Sequence, residues 1–206
     1  MISSIQNIIV FDLETTGLKA DKNCIVEIAC CPFNQDLKDL QEYNSGIIKP
    51  YGDREISQGA LNINGITMQQ LENGADSEKI IKEFVSYLSK LKAGRNKPIL
   101  AGHNIDKFDI PFLDDFFKFH KYDLSKYVNF DFTIDTMWWA RVKWKESLNY
   151  KLGACCANEN IELIDGHRAM NDTRANKQLV KKFIQGLKSG SSEKEKEEYK
   201  RPVFQF

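Results

Sequence analysis

An α/β fold, a mixed central sheet flanked by helices, is predicted from three features of the sequence. Strand-like segments crowd the first quarter of the chain, and segments of helical spacing then alternate with short apolar runs. The length of 206 residues, 42% of them hydrophobic, suffices for one domain with a sizeable core and at most a small appendage. Strands first as a meander and then alternating with helices describe a layered sheet-and-helix architecture. No internal repeat is visible.

The first strand spans residues 7–14, within "NIIVFDLETTG", a run of β-favouring apolar residues interrupted by two acids. Two more follow at about 24–33 and 43–49, with turn residues between them, and their close spacing predicts an antiparallel meander. A polar loop runs through "NINGIT". "SEKIIKEFVSYLSKLK" then places Ile80, Ile81, Phe84, Val85, Leu88 and Leu91 on one helical face. "KPILAGHN" reads as a short buried strand, and a helix follows from Asp109 to His120. A strand near Phe130 to Thr136 leads into helices through "MWWARVKW" and "YKLGACCANEN", and "DTRANKQLVKKFIQGL" is the last helix. From Lys188 the composition turns to a Gly/Ser break and dense charge, which predicts a domain over 1–187 and a flexible charged tail over 188–206.

The 29 basic residues balance the 29 acidic ones, so no global field holds long duplex nucleic acid, and any such contact must be local. The five cysteines are an odd count without C-x-x-C spacing, which reads as reduced core thiols rather than zinc ligands or disulfides. No apolar stretch approaches the ~20 residues of a membrane span. The start lacks the basic flank and apolar run of a secretion signal. A cytoplasmic protein that does not enter a membrane is the expectation.

Asp12 and Glu14 are two apart in a strand, so they project from the same face as one carboxylate pair. Burying like charges so close is costly unless a cation lies between them. The alternative is that the strand ends at Phe11 and both acids are solvated turn residues. Asp109 and Asp106 stand at the start of a helix, where either would serve as an N-cap. Asp172 lies on the stripe that carries Leu179 and Phe183, so it points inward, although an acid at a helix start also suits the macrodipole. His167 precedes it in a loop.

Taken together, "FDLETTG", "HNIDKFD" and "HRAMND", in that order, resemble the three motifs of the DnaQ-like 3′→5′ exonucleases of the DEDDh type, over roughly residues 7–187. "EISQGALNINGIT" looks like the family's loop before its first long helix, and "IDTMWWAR" like its strand entering a helix. The resemblance implies a ribonuclease H-like fold and removal of nucleotides from a 3′ end. Two departures stand out. Asn64 replaces a His common before Gly-Ile-Thr, and the second motif has three residues between Asn104 and Phe108 where many bacterial members have two. Asp109 is taken as the family acid and Asp106 as the fallback.

The resemblance also assigns roles. Asp12 would bridge two Mg²⁺ or Mn²⁺ ions, Glu14 and Asp172 would share the ion that activates water, and Asp109 would serve the ion at the leaving group. His167 would be the general base, since an imidazole of pKa ~6.5 accepts a proton near neutral pH. Thr15, Thr16 and Leu18, with His103 or Asn104, would contact the terminal nucleotide. DNA 3′ ends are the expected substrate, with RNA ends as the alternative. An unbound disordered end is the first reading of "RPVFQF", and a polymerase or a sliding clamp docked through it is the candidate partner. "WWARVKWKESLNYK" mixes Trp138, Trp139 and Trp144 with Arg141, Lys143, Lys145 and Lys151, which suits base stacking and phosphate binding. Helical spacing equally sends at least one of the paired Trp residues to the core. Two rivals are weaker. A haloacid dehalogenase-like phosphatase needs Asp where Glu14 stands, and a binding-only module has no need for five such titrating groups in one cleft.

Overall fold

The computed structural model describes residues 6–163 and 168–194. Strands β1 (Ile8–Thr15), β2 (Ile25–Phe33), β3 (Tyr43–Asn44), β4 (Ile99–Gly102) and β5 (Asn129–Asp135) form one sheet in the order β3-β2-β1-β4-β5. β1 runs antiparallel to β2 and parallel to β4, and β4 runs parallel to β5. β1 is therefore central, and the C-terminal ends of β1, β4 and β5 open on one edge of the sheet. This is the mixed sheet that the sequence predicts.

Helices α1 (Gln58–Asn64), α2 (Met68–Glu72), α3 (Ser77–Lys90), α4 (Asp109–Phe119), α5 (Thr136–Lys143), α6 (Leu152–Asn158) and α7 (Ala169–Lys194) flank it. Alternation along β1 assigns the two layers. Ile9, Phe11 and Leu13 pack with Phe84 of α3 and Phe112, Phe116 and Phe117 of α4. Burial of each such phenylalanine contributes roughly 1.5–3 kcal/mol. Ile8 and Val10 pack on the other side with Val180 of α7. A third cluster joins α5, α6 and α7 through Ala140, Cys155, Cys156, Leu179 and Phe183. All five cysteines are buried and unpaired. No helix among the described residues is long and apolar enough to cross a membrane.

Three expectations are corrected. The third strand is only two residues long, because Gly46 turns the chain at φ 63° and Ile48 instead bridges Ala75. The loop expected through "NINGIT" holds α1 and α2. Ser57 caps α1, Gly65 ends it in the left-handed region at φ 66°, and Thr67 with Gln70 forms a capping box on α2. The last helix continues to Lys194, past the expected tail start at 188. There the Ser189 hydroxyl bonds the carbonyls of Gln185 and Gly186, and Lys188 Nζ reaches the Gln35 carbonyl. "RPVFQF" lies outside the described residues.

Candidate active site

β1 brings Asp12 and Glu14 to the face that packs on α7, in line with Ile8 and Val10. The strand continues to Thr15, which removes the solvated-turn alternative. Asp172 is in the first turn of α7, and carboxylate oxygens of Asp12, Glu14 and Asp172 all lie within 4.8 Å of one another. Sequence placed the three together, and the fold delivers them from its first strand and its last helix.

Asp109 is not the N-cap of α4. Phe108 occupies that position and makes no side-chain cap bond. The Asp109 Oδ1 accepts the backbone amide of Leu13 at 3.2 Å instead. β4 pairs with β1 only as far as Ala101 opposite Val10, so further along β1 this amide finds a carboxylate where a ladder partner would have been. Gly102 permits the departure of β4: a Cβ there would meet Ile105 Cγ2 at 2.0 Å and the Phe11 carbonyl oxygen at 3.0 Å. Asp106 is exposed and accepts the Thr133 hydroxyl at 2.7 Å, so the geometry sets it apart from the acids.

Burial and mutual repulsion hold these acids far from their ordinary range. Burial, then Glu27 and Asp172, push Glu14 up to about 8. Burial pushes Asp109 up to about 8 as well. Asp12 is raised well above the usual carboxylate range by burial, then by Asp109 and Glu14. The site is a set of acids that resist holding their charges together without a cation.

Glu27 is a further acid of the site that carries no motif, although its signal is the one that revealed Asp12: an acid inside the apolar run "CIVEIACC". It pairs across the ladder with Glu14 and is 1% exposed. Its Oε2 makes no hydrogen bond among the described residues, and its ion partner is Arg168, with Nε at 3.6 Å. His167 lies outside the described residues.

The expected substrate contacts separate into two groups. Leu18 is 84% exposed and lines a groove with Gly17, Gly59, Ala60 and Ile63. Thr15 and Thr16 are buried. The Thr15 hydroxyl donates to the Gly17 carbonyl at 2.7 Å, and that of Thr16 donates to the Glu55 carbonyl and accepts from the Cys24 amide. Asn64 Nδ2 donates to the Thr15 carbonyl at 2.9 Å, tying α1 to the end of β1. His103 uses both ring nitrogens inside the protein, on the Thr136 hydroxyl at 2.9 Å and the Tyr150 carbonyl at 2.7 Å, and burial holds its pKa below the ordinary value. Asn104 adopts φ 65° and donates its amide to Asp135 Oδ1 at 2.9 Å. Of the three tryptophans, Trp139 and Trp144 pack on Phe183 at 5.4 and 5.8 Å between ring centres.

A central strand bearing paired acids, a buried aspartate at the entry to α4 and a fourth acid on the closing helix gather carboxylates at one edge of the sheet. The chain belongs to the exonuclease family, whose model matches residues 9–180. It is 31% identical over 191 residues to the PolC-type DNA polymerase III of Thermotoga petrophila, covering 90% of this chain and 12% of that one. To the PolC-type polymerase of Bacillus subtilis it is 30% identical over 176 residues, covering 85% and 11%. The chain thus spans about a tenth of the length of the curated relatives it matches. Among solved structures, Escherichia coli exonuclease I in complex with a dT13 oligonucleotide superposes with a TM-score of 0.74 at 19% identity, over 90% of this chain and 43% of that one. That likeness agrees with the ribonuclease H-like fold.

Proposed function

We propose that the chain is a divalent-metal-dependent 3′→5′ exonuclease that releases nucleoside monophosphates from single-stranded or frayed DNA. The observation that carries this reading is the convergence of Asp12, Glu14 and Asp172 within 4.8 Å in a chain of the exonuclease family. DNA is favoured because the relatives are DNA polymerases and the exonuclease I neighbour is in complex with a DNA oligonucleotide. The same relatives favour work beside a polymerase.

The donors fit Mg²⁺ or Mn²⁺. They are hard carboxylate oxygens, and their pKa values, raised by burial first and by mutual repulsion second, mark charges that a dication would stabilise. Asp12, Glu14 and Asp172 would hold one ion, and Asp109, bound to the Leu13 amide, would serve a second together with Asp12. When bound, such ions neutralise charge on the phosphate and favour both the attacking water and the leaving 3′ oxygen. The rest falls to the chain. His167, as general base, takes the proton of the attacking water. Leu18 and Ile63, both exposed and lining the groove, offer an apolar surface to the terminal base. The Thr15 and Thr16 hydroxyls are committed within the protein, so this segment serves the nucleotide through its backbone. His103 and Asn104 act by positioning, through Tyr150 and Asp135.

The test uses single-stranded DNA and RNA of one sequence, labelled at either end, with Mg²⁺, Mn²⁺ or EDTA. Mononucleotides should leave the 3′ end only when metal is present, faster from DNA, and Asp12→Asn should abolish release. Persistent cleavage by that variant overturns the metal assignment, and release from the 5′ end overturns the polarity. A faster rate on RNA would reassign the substrate.

A further inference from the structure

We propose that Trp138 and Arg141 form a second nucleotide subsite, which stacks a base and binds a phosphate of a single strand on the 5′ side of the terminal nucleotide. Polynucleotide as the ligand rests on the exonuclease reading; the subsite itself rests on its own geometry.

Trp138 lies in the first turn of α5, which begins where β5 ends. β5 is two ladder steps from β1, and its last residue Asp135 pairs with Gly102, one residue past the Ala101–Val10 pair, so roughly 10 Å separates the end of β5 from β1 at Phe11, next to Asp12. The link between them is covalent and hydrogen-bonded: Asp135 of β5 takes the amide of Asn104, at the head of the segment that delivers Asp109. While its neighbours Trp139 and Trp144 are packed on Phe183, the Trp138 indole is 54% exposed.

Arg141, one helical turn on, places its guanidinium 5.6 Å from the Trp138 ring centre and 5.6 Å from that of Tyr150. Two aromatic rings thus steady a cation whose only hydrogen bond among the described residues goes to the Met137 thioether at 3.8 Å. That acceptor is weak, and Arg141 has no carboxylate partner among the described residues. Asp135, the acid in the same cleft, commits its Oδ1 to the Asn104 and Met137 amides. Lys107 lines the cleft as well, so two cations face it. Guanidinium donors held beside two aromatic rings and without an oxygen acceptor among the described residues suit a phosphate. The cleft, about 30 Å³, has no room for a base, which leaves the exposed indole as the stacking surface.

Binding of 5′-fluorescein decathymidylate, followed by anisotropy in EDTA, decides the matter without hydrolysis. Trp138→Ala and Arg141→Ala should each weaken it on the order of 10-fold, Trp138→Phe should restore most of the loss, and Arg141→Ala should flatten the log K against log salt slope by ~0.7. With Mg²⁺, both alanine variants should keep the wild-type rate on the p-nitrophenyl ester of thymidine 5′-monophosphate, which is too short to reach the subsite, and lose rate on the oligonucleotide. Unchanged affinity, or an equal loss of rate on both substrates, overturns the subsite. A wild type that hydrolyses neither substrate overturns the exonuclease reading, and the binding measurements still decide the subsite.

Discussion

Glu14 and Asp109 are pushed up to about 8 and Asp12 is raised with them, whereas such acids titrate near ~4 in an unfolded chain. Between those limits the folded, metal-free protein holds more protons than the unfolded chain, so its stability is full below about pH 4 and is lost as pH climbs through 8. The melting temperature of EDTA-treated protein should therefore fall between pH 5 and pH 8.5, more steeply for wild type than for Asp12→Asn, and saturating Mg²⁺ should flatten the fall. Parallel curves for the two proteins would show that the acids do not repel. His167 offers a second test. As the proposed general base it must be neutral, so the single-turnover rate with saturating metal should rise with pH through its pKa, near ~6.5 if unperturbed, and His167→Gln should lose ~10²–10⁴-fold together with that rising limb. Profiles of the same shape would remove it from the mechanism. At this scale much was legible. Period-two spacing put Asp12 and Glu14 on one face and helix-stripe spacing turned Asp172 inward, but it was the motif resemblance that joined the three, which the fold brings within 4.8 Å. Which of Asp106 and Asp109 turns inward depends on where β4 ends, a tertiary fact that local spacing does not contain. Glu27 was legible and overlooked, because an acid in β2 carries no motif.

At the scale of elements, the turn from β4 into α4 is fixed by Gly102 and the fully buried Ile105. Gly102→Ala forces that contact apart and should destabilise the protein by about 1–3 kcal/mol, the usual range for overpacking, with a matching drop in urea midpoint at constant slope. The same shift moves Asp109 away from the Leu13 amide, so Mg²⁺ should stabilise this variant less than wild type; an unaltered midpoint and metal response would mean that the turn yields freely. Elements with a full hydrophobic repeat, such as α3 and α4, were readable from sequence. α1 and α2 were not, because helices of seven and five residues are too short to show a period, although their Ser57, Thr67 and Gln70 caps and Gly65 stop were in plain view. The Gly/Ser run after Lys188 read as a break, yet its backbone continues α7: a single glycine weakens a helix by only about 1 kcal/mol relative to alanine.

For the whole molecule, the decisive feature is that one acid pair comes from the first strand and the third acid from the last helix. Contacts between the two ends of a chain close the largest loop available, and they are the slowest to form and the last to be rewarded. β1 and β2, joined locally, can meet early, whereas α7 must arrive before the acids surround a cation. Metal binding therefore reports completed folding, and its stabilising effect belongs to the native state rather than to the barrier before it. In stopped-flow measurements Mg²⁺ should slow unfolding while leaving the refolding rate nearly unchanged. An accelerated refolding limb would place α7 on the sheet already in the transition state. On the proposed metal-dependent reading the closing helix acts as a latch that only the finished fold can set and that a cation would hold shut, so that the protein's lifetime and its readiness for catalysis would rise and fall with the same ion.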